Sequence, residues 1–201
     1  MFEIEIKAKI QDPDSLRAKF EKNNGIYKYS FIHEDTYFNM PQGLRDFKET
    51  DEALRIRKSM EYNKNEQQLI QKTSYFITYK GKKLDKITKT RNELEIEVEN
   101  GSHLRELLKV LGFQEIFTVR KERELYEFDF KGQIIEGLID YIPILKEHFI
   151  EVEITSETDE RLDKSRQILF EFLSLFDIKK EESIRQSYLE LIADRFRGKI
   201  F

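Results

Sequence analysis

Residues 1–10 read MFEIEIKAKI, with bulky apolar side chains at Phe2, Ile4 and Ile6 alternating with Glu3, Glu5 and Lys7. Successive strand side chains point to opposite faces, so this stretch predicts a strand with an apolar face continuing to Ala8 and a charged face of Glu3, Glu5 and Lys7. A half-buried antiparallel strand ordinarily turns such a charged face to water. Here the same alternation returns along the chain, and that repetition decides the fold.

In ALRIRKS, Arg55 and Arg57 oppose Leu54 and Ile56, and in FITYKG, Lys80 opposes Ile77 and Tyr79. TRNELEIEVE places Arg91, Glu93, Glu95 and Glu97 opposite Leu94, Ile96 and Val98. VRKERELY pairs Lys121 with Arg123, GLIDYI supplies Asp140, and FIEVEI sets Glu151 and Glu153 opposite Ile150, Val152 and Ile154. With IYKYSFIHEDTYFN these make about eight strands, a number that closes into a barrel with an interior filled by side chains. The expected fold class is α+β: a closed eight-stranded antiparallel β-barrel, charged inside, with an apolar exterior covered by helices.

The helices follow from caps and stripes. Asp12 caps a first helix, Pro13 suits its first turn, Leu16 and Phe20 share a face, and Gly25 closes it. Ser102 is the expected cap of a second helix with the stripe Leu104, Leu107, Leu108 and Leu111, ended by Gly112. A third helix follows the FIEVEI strand and runs to about Phe176, and SIRQSYLELIADRF reads as a terminal helix. No linker poor in apolar residues divides the chain, so residues 1–201 are expected to form a single domain.

Composition narrows the chemistry. The chain has no cysteine, which excludes disulfides, thiolate metal sites and cysteine nucleophiles. His33, His103 and His148 lack zinc-ligand spacing. No signal peptide or membrane-length apolar run is visible, so a cytoplasmic protein without membrane contact is expected. With 35 basic against 39 acidic residues the net charge is -4, which argues against nucleic acid as a partner.

A barrel lined with both charge signs makes sense only around a strongly charged ligand, because unpaired buried charges each cost several kcal/mol. Lys7, Arg55, Arg57, Lys80, Lys121 and Arg123 suit the oxygens of a polyphosphate. The carboxylates would repel phosphate directly, but they suit Mg²⁺ or Mn²⁺, hard cations that also take phosphate oxygens. No Gly-rich phosphate loop occurs, so side chains must supply the grip. His33 is expected to be a polar strand residue, Tyr37 and Phe38 packing groups, and the Lys82–Lys83 pair a solvated loop.

These residues resemble the CYTH superfamily, the triphosphate tunnel metalloenzymes, whose N-terminal Glu-x-Glu-x-Lys is Glu3, Glu5 and Lys7 here. The segments EDTYFN, LRDFKETDEALRIR, ITYKG, KTRNELEIEVE, LLKVLGF, VRKERELY, LIDYI, FIEVEI and SYLELI extend the resemblance over essentially the whole chain. DTYF, RDF and TDEALRIR are most similar to the class IV adenylate cyclase branch. Lys146 departs from the pattern, standing where cyclase-like relatives often have Gly.

The resemblance implies a triphosphate substrate: ATP cyclised to cyclic AMP and pyrophosphate, with tripolyphosphate or thiamine triphosphate hydrolysis as the alternative. It implies metal at Glu3, Glu5, Asp140, Glu151 and Glu153, and triphosphate on Lys7, Arg55, Arg57, Lys80, Arg91, Lys121 and Arg123. Lys7, Lys80, Glu93 and Glu95 are the expected catalytic residues, and a homodimer stays open. A non-catalytic polyphosphate or nucleotide binder needs only the basic residues and gains nothing from the acidic ones.

Overall fold

The computed structural model describes residues 2–66, 70–84, 88–156 and 162–196. Its eight strands are β1 (Phe2–Ile10), β2 (Ile26–Asn39), β3 (Ala53–Tyr62), β4 (Ile70–Lys80), β5 (Arg91–Val98), β6 (Gln114–Phe130), β7 (Gln133–Ile142) and β8 (Glu147–Ser156). They close into a barrel in the order β1-β5-β4-β3-β2-β6-β7-β8, with every neighbouring pair antiparallel. The expected closed ring is therefore present. Among the described residues four α-helices accompany it: α1 (Pro13–Lys22), α2 (Gly101–Val110), α3 (Leu162–Ser174) and α4 (Tyr188–Arg195).

The outward faces of β1, β7 and β8 bury Ile4, Ile6, Ile135, Ile139, Ile150 and Val152 against Leu16 and Phe20 of α1 and Leu169 and Phe172 of α3. This is the main core, and it forces the charged faces of the same strands inward. Asp12 caps α1 as expected, its carboxylate accepting from the Ser15 amide at 2.9 Å. The left-handed residue that ends α1 is Asn24, at φ 62°, rather than Gly25. Gly25 serves a close approach instead, since a Cβ there would sit 2.5 Å from the Phe128 ring.

Three other expectations need correction. The α2 cap is Asn100, which accepts from the His103 amide at 3.0 Å, so the helix starts before Ser102. Helices do not cover the whole exterior. Leu108 of α2 packs on Phe38 and Ile56, while Leu94 and Ile96 of β5 stay 58% and 64% exposed. The terminal helix does not begin at Ser183; α4 starts at Tyr188, where Ser187 and Glu190 form a capping box. The residue at the β7–β8 turn, Lys146, adopts φ 55°, so the turn forms with lysine in the left-handed region. Residues 85–87 of the basic loop and the start of the third helix lie outside the described residues.

Candidate active site

The barrel encloses a cavity of about 990 Å³ whose wall includes Glu3, Glu5, Arg55, Arg57, Lys80 and Glu153. Period-two alternation puts each of these on the face opposite the packed aliphatic residues, so the site is a direct consequence of where the core lies.

Glu3 and Glu5 of β1 and Glu153 of β8 bring carboxylate oxygens within 4.8 Å of one another. Glu5 and Glu153 are direct register partners. All three have acidities weakened by burial. Glu153 is pushed well above the usual carboxylate range by burial and then by Glu3, and Glu5 is raised by burial and then by Glu151. Glu3 is likewise raised by burial, with Lys80 opposing. Three hard oxygen donors that disfavour one another's charge suit a small divalent cation, so the donor set fits Mg²⁺ or Mn²⁺.

Around this trio the basic residues are paired. Arg57 holds Asp35 with two hydrogen bonds of 2.7 and 2.8 Å, and Arg55 reaches the same carboxylate at 3.2 Å. Lys80 of β4 spans Glu93 at 2.6 Å and Glu3 at 3.3 Å. Burial would raise Glu93, but its hydrogen bond with Glu3 and the charges of Lys80 and Arg55 bring it down to about 2. Glu95, at the rim, accepts from Thr78 at 2.7 Å and lies 3.6 Å from Arg55. Arg91 faces Asp51 at 4.0 Å. Buried His33, next to Arg57 and Lys121, has its imidazole pushed well toward the neutral form by burial and then by the Arg57 charge.

Of the other expected metal ligands, Asp140 is taken up by other partners, while Glu151 lies beside Glu5 and shares Lys89 with it. Asp140 is fully buried, accepts from Arg123 at 2.7 and 2.6 Å, and accepts from the Tyr188 hydroxyl at 2.8 Å. Glu151 takes Arg123 by a short ion pair and Lys89 at 3.4 Å. Lys7 is also fully buried, its ammonium donating to the Gln186 carbonyl at 2.5 Å. Lys121 lies 3.8 Å from Asp140 and is lowered to about 8 by burial and then by Arg123.

Sequence reasoning missed four residues here. Lys89 donates to Glu5 and lies in step with Arg91, Glu93 and Glu95, so extending the alternation two residues back finds it. Asp35 shares the period of His33 and Tyr37 in the same way. Tyr188 carried no such signal. Lys83 is the fourth, since the expected solvated loop is instead a tie: its ammonium binds Asp51 at 2.6 Å and Glu190 at 3.3 Å with only 7% of the side chain exposed. Phe38 and Tyr37 both pack into hydrophobic clusters as expected, and both also border the cavity.

A barrel that sets an acidic trio against paired arginines and lysines defines a class of triphosphate-handling proteins, and the comparisons agree. Residues 1–188 match the CYTH domain model, so the chain belongs to the CYTH family, whose enzymes are metal-dependent and act on triphosphates. It is 39% identical over 192 residues to a Methanocaldococcus jannaschii protein named "Putative adenylate cyclase MJ0240", covering 95% of this chain and 98% of that one. The solved PH1819 protein of Pyrococcus horikoshii OT3 superposes with a TM-score of 0.81 at 32% identity, over 96% of this chain and 99% of that one. At 19% identity and a TM-score of 0.62, the fold is shared with the Hippeastrum protein HpAC1, over 96% of each chain.

Proposed function

We propose that this chain is a class IV adenylate cyclase-like enzyme that converts ATP to cyclic AMP and pyrophosphate. The observation that carries the reading is the acidic trio of Glu3, Glu5 and Glu153 beside Arg55, Arg57 and Lys80 in one cavity. The M. jannaschii relative's name points the same way. In the reaction the ribose 3'-oxygen bonds to the α phosphorus as its hydroxyl proton passes to water. The bond from that phosphorus to the bridging oxygen then breaks, and pyrophosphate leaves.

Glu3, Glu5 and Glu153 would hold Mg²⁺ or Mn²⁺, which when bound withdraws charge from the phosphate oxygens it touches. Arg55 and Arg57 offer guanidinium forks to the triphosphate, and with Lys121 and Arg123 they oppose the charge that grows on the leaving pyrophosphate. Glu93, ionised across the neutral range, keeps Lys80 charged and aimed between itself and Glu3. Thr78 orients Glu95. A cytoplasmic setting fits a chain without cysteine. Among the described residues no helix is long and apolar enough to cross a membrane.

The described grip is made of charged groups that address a triphosphate and not what it is attached to. Hydrolysis of tripolyphosphate or thiamine triphosphate is therefore the second reading, and the structural neighbour HpAC1 is described as having a dominant triphosphatase activity. One incubation decides: the protein with ATP, tripolyphosphate or thiamine triphosphate in Mg²⁺ or Mn²⁺, products resolved. Cyclic AMP with pyrophosphate is expected. Orthophosphate alone would favour hydrolysis, and no turnover of any of the three would sink both readings.

A further inference from the structure

Tyr188 is the first residue of α4, and its side chain enters the barrel wall. Its ring is buried and stands edge-on to Phe149, with 5.2 Å between centroids. Three ammonium groups surround the ring: Lys7 Nζ lies 4.0 Å from its centroid, Lys121 Nζ 5.6 Å and Lys89 Nζ 5.9 Å. They come from β1, β6 and the segment leading into β5.

An aliphatic side chain would fill the same space, but only an aromatic offers its negative π-face to cations. These cations need such support. Lys7, Lys89, Lys121 and Arg123 crowd one another among the carboxylates Glu5, Glu151, Glu153 and Asp140, and burial together with the neighbouring cations disfavours the charged forms of Lys7 and Lys121. Asp140 is already engaged by the Tyr188 hydroxyl and by both forks of Arg123. Lys7 has a backbone carbonyl and the ring as its nearest partners, with Glu151 at 4.0 Å.

We propose that Tyr188 is a positioning residue whose ring gathers Lys89 and Lys121 at the cavity wall, with the fully buried Lys7 supporting them from outside the lining, so that they draw in the phosphates of the substrate. This inference rests on the triphosphate reading. It assigns the start of α4 to substrate binding, although the helix lies far along the chain from the charged strands.

The test is calorimetric binding of tripolyphosphate, and separately of Mn²⁺, to the wild type, Tyr188→Phe and Tyr188→Leu. The Phe variant keeps the ring and loses only the hydroxyl, so tripolyphosphate affinity should stay within about twofold of wild type. The Leu variant should lose roughly tenfold, the size of a desolvated cation–π contribution. Its Mn²⁺ affinity should fall far less, because the ring reaches the acidic trio only through Lys89 on Glu5. Should Tyr188→Leu fail to fold, fluorinated phenylalanines placed at 188 weaken the π-face while keeping its shape, and affinity should fall in step with fluorination. Wild-type affinity in Tyr188→Leu, no trend along the fluorinated series, or an equal loss in Tyr188→Phe would overturn the inference. So would a parallel loss of Mn²⁺ binding. A wild type that binds no tripolyphosphate would instead remove the triphosphate reading itself, and the inference with it.

Discussion

Asp35, buried, and Glu153, half-buried, are both carboxylates on inward strand faces, yet the barrel treats them oppositely. Burial raises Asp35, but the charges of Arg57 and Arg55 outweigh it and hold the carboxyl well below its ordinary range. Its contribution to stability is present above the unfolded value of about 4 and is lost as pH falls through the lower folded value. Glu153 is raised, so its contribution is full below the unfolded carboxylate value and is lost as pH rises through the folded one. In the metal-free protein, Glu153→Gln should therefore raise the melting temperature at pH 7 by a few degrees, on the order of 1 kcal/mol, and by less at pH 5. The same variant should lose Mn²⁺ binding. Thermal melts with and without Mn²⁺ at both pH values check this, and a variant less stable than wild type at pH 7 would refute the picture of mutually opposed carboxylates. Which side chains face inward was legible, because alternation fixes faces. Which of two neighbours pairs and which stands opposed was not, since Glu151 and Glu153 differ only in what β6 and the residues before β5 bring to them.

At the scale of elements, strands were easier to read than helix ends. IYKYSFIHEDTYFN and QIIEGLIDYI coincide with β2 and β7, because each apolar side chain that alternates toward the core also marks the strand. Helix starts depend on one side-chain hydrogen bond, and both Asn100 and Ser102 are competent caps. Asn100 wins because a helix beginning there seats Gly101 against Tyr75, where a Cβ would lie 2.4 Å from the ring. Lys146 shows a turn formed despite its residue: at φ 55° a lysine bears a steric cost that glycine avoids. Lys146→Gly should stabilise the protein by about 0.5 to 1 kcal/mol, the left-handed relief outweighing the added freedom of the unfolded chain. Denaturant unfolding measures it. A loss of stability would mean that lysine contacts at this turn matter more than its backbone conformation.

For the whole molecule the ring has an uneven seam. β1 pairs with β8 over nine residue pairs, but with β5 over only two, Phe2 with Asn92 and Glu3 with Arg91. Beyond them the ladder gives way to one backbone bond from the Lys89 amide to the Glu5 carbonyl at 3.1 Å. Side chains of the candidate site cross the gap instead. Lys80 links Glu3 of β1 to Glu93 of β5, and Lys89 reaches Glu5. The barrel is thus closed partly by the groups proposed to hold metal and triphosphate, so ligand binding should tighten the seam more than any other strand pair. Hydrogen exchange measures this residue by residue. Without ligand, the β5 amides facing β1 should exchange faster than the β1 amides facing β8. Tripolyphosphate with Mn²⁺ should slow the seam amides by roughly tenfold or more, the effect expected where a ligand stabilises one local opening. The 13 residue pairs joining β2 to β6 should change little. Equal slowing around the whole ring, or protection rising at β2–β6 and not at the seam, would show that the candidate site is not what completes the closure.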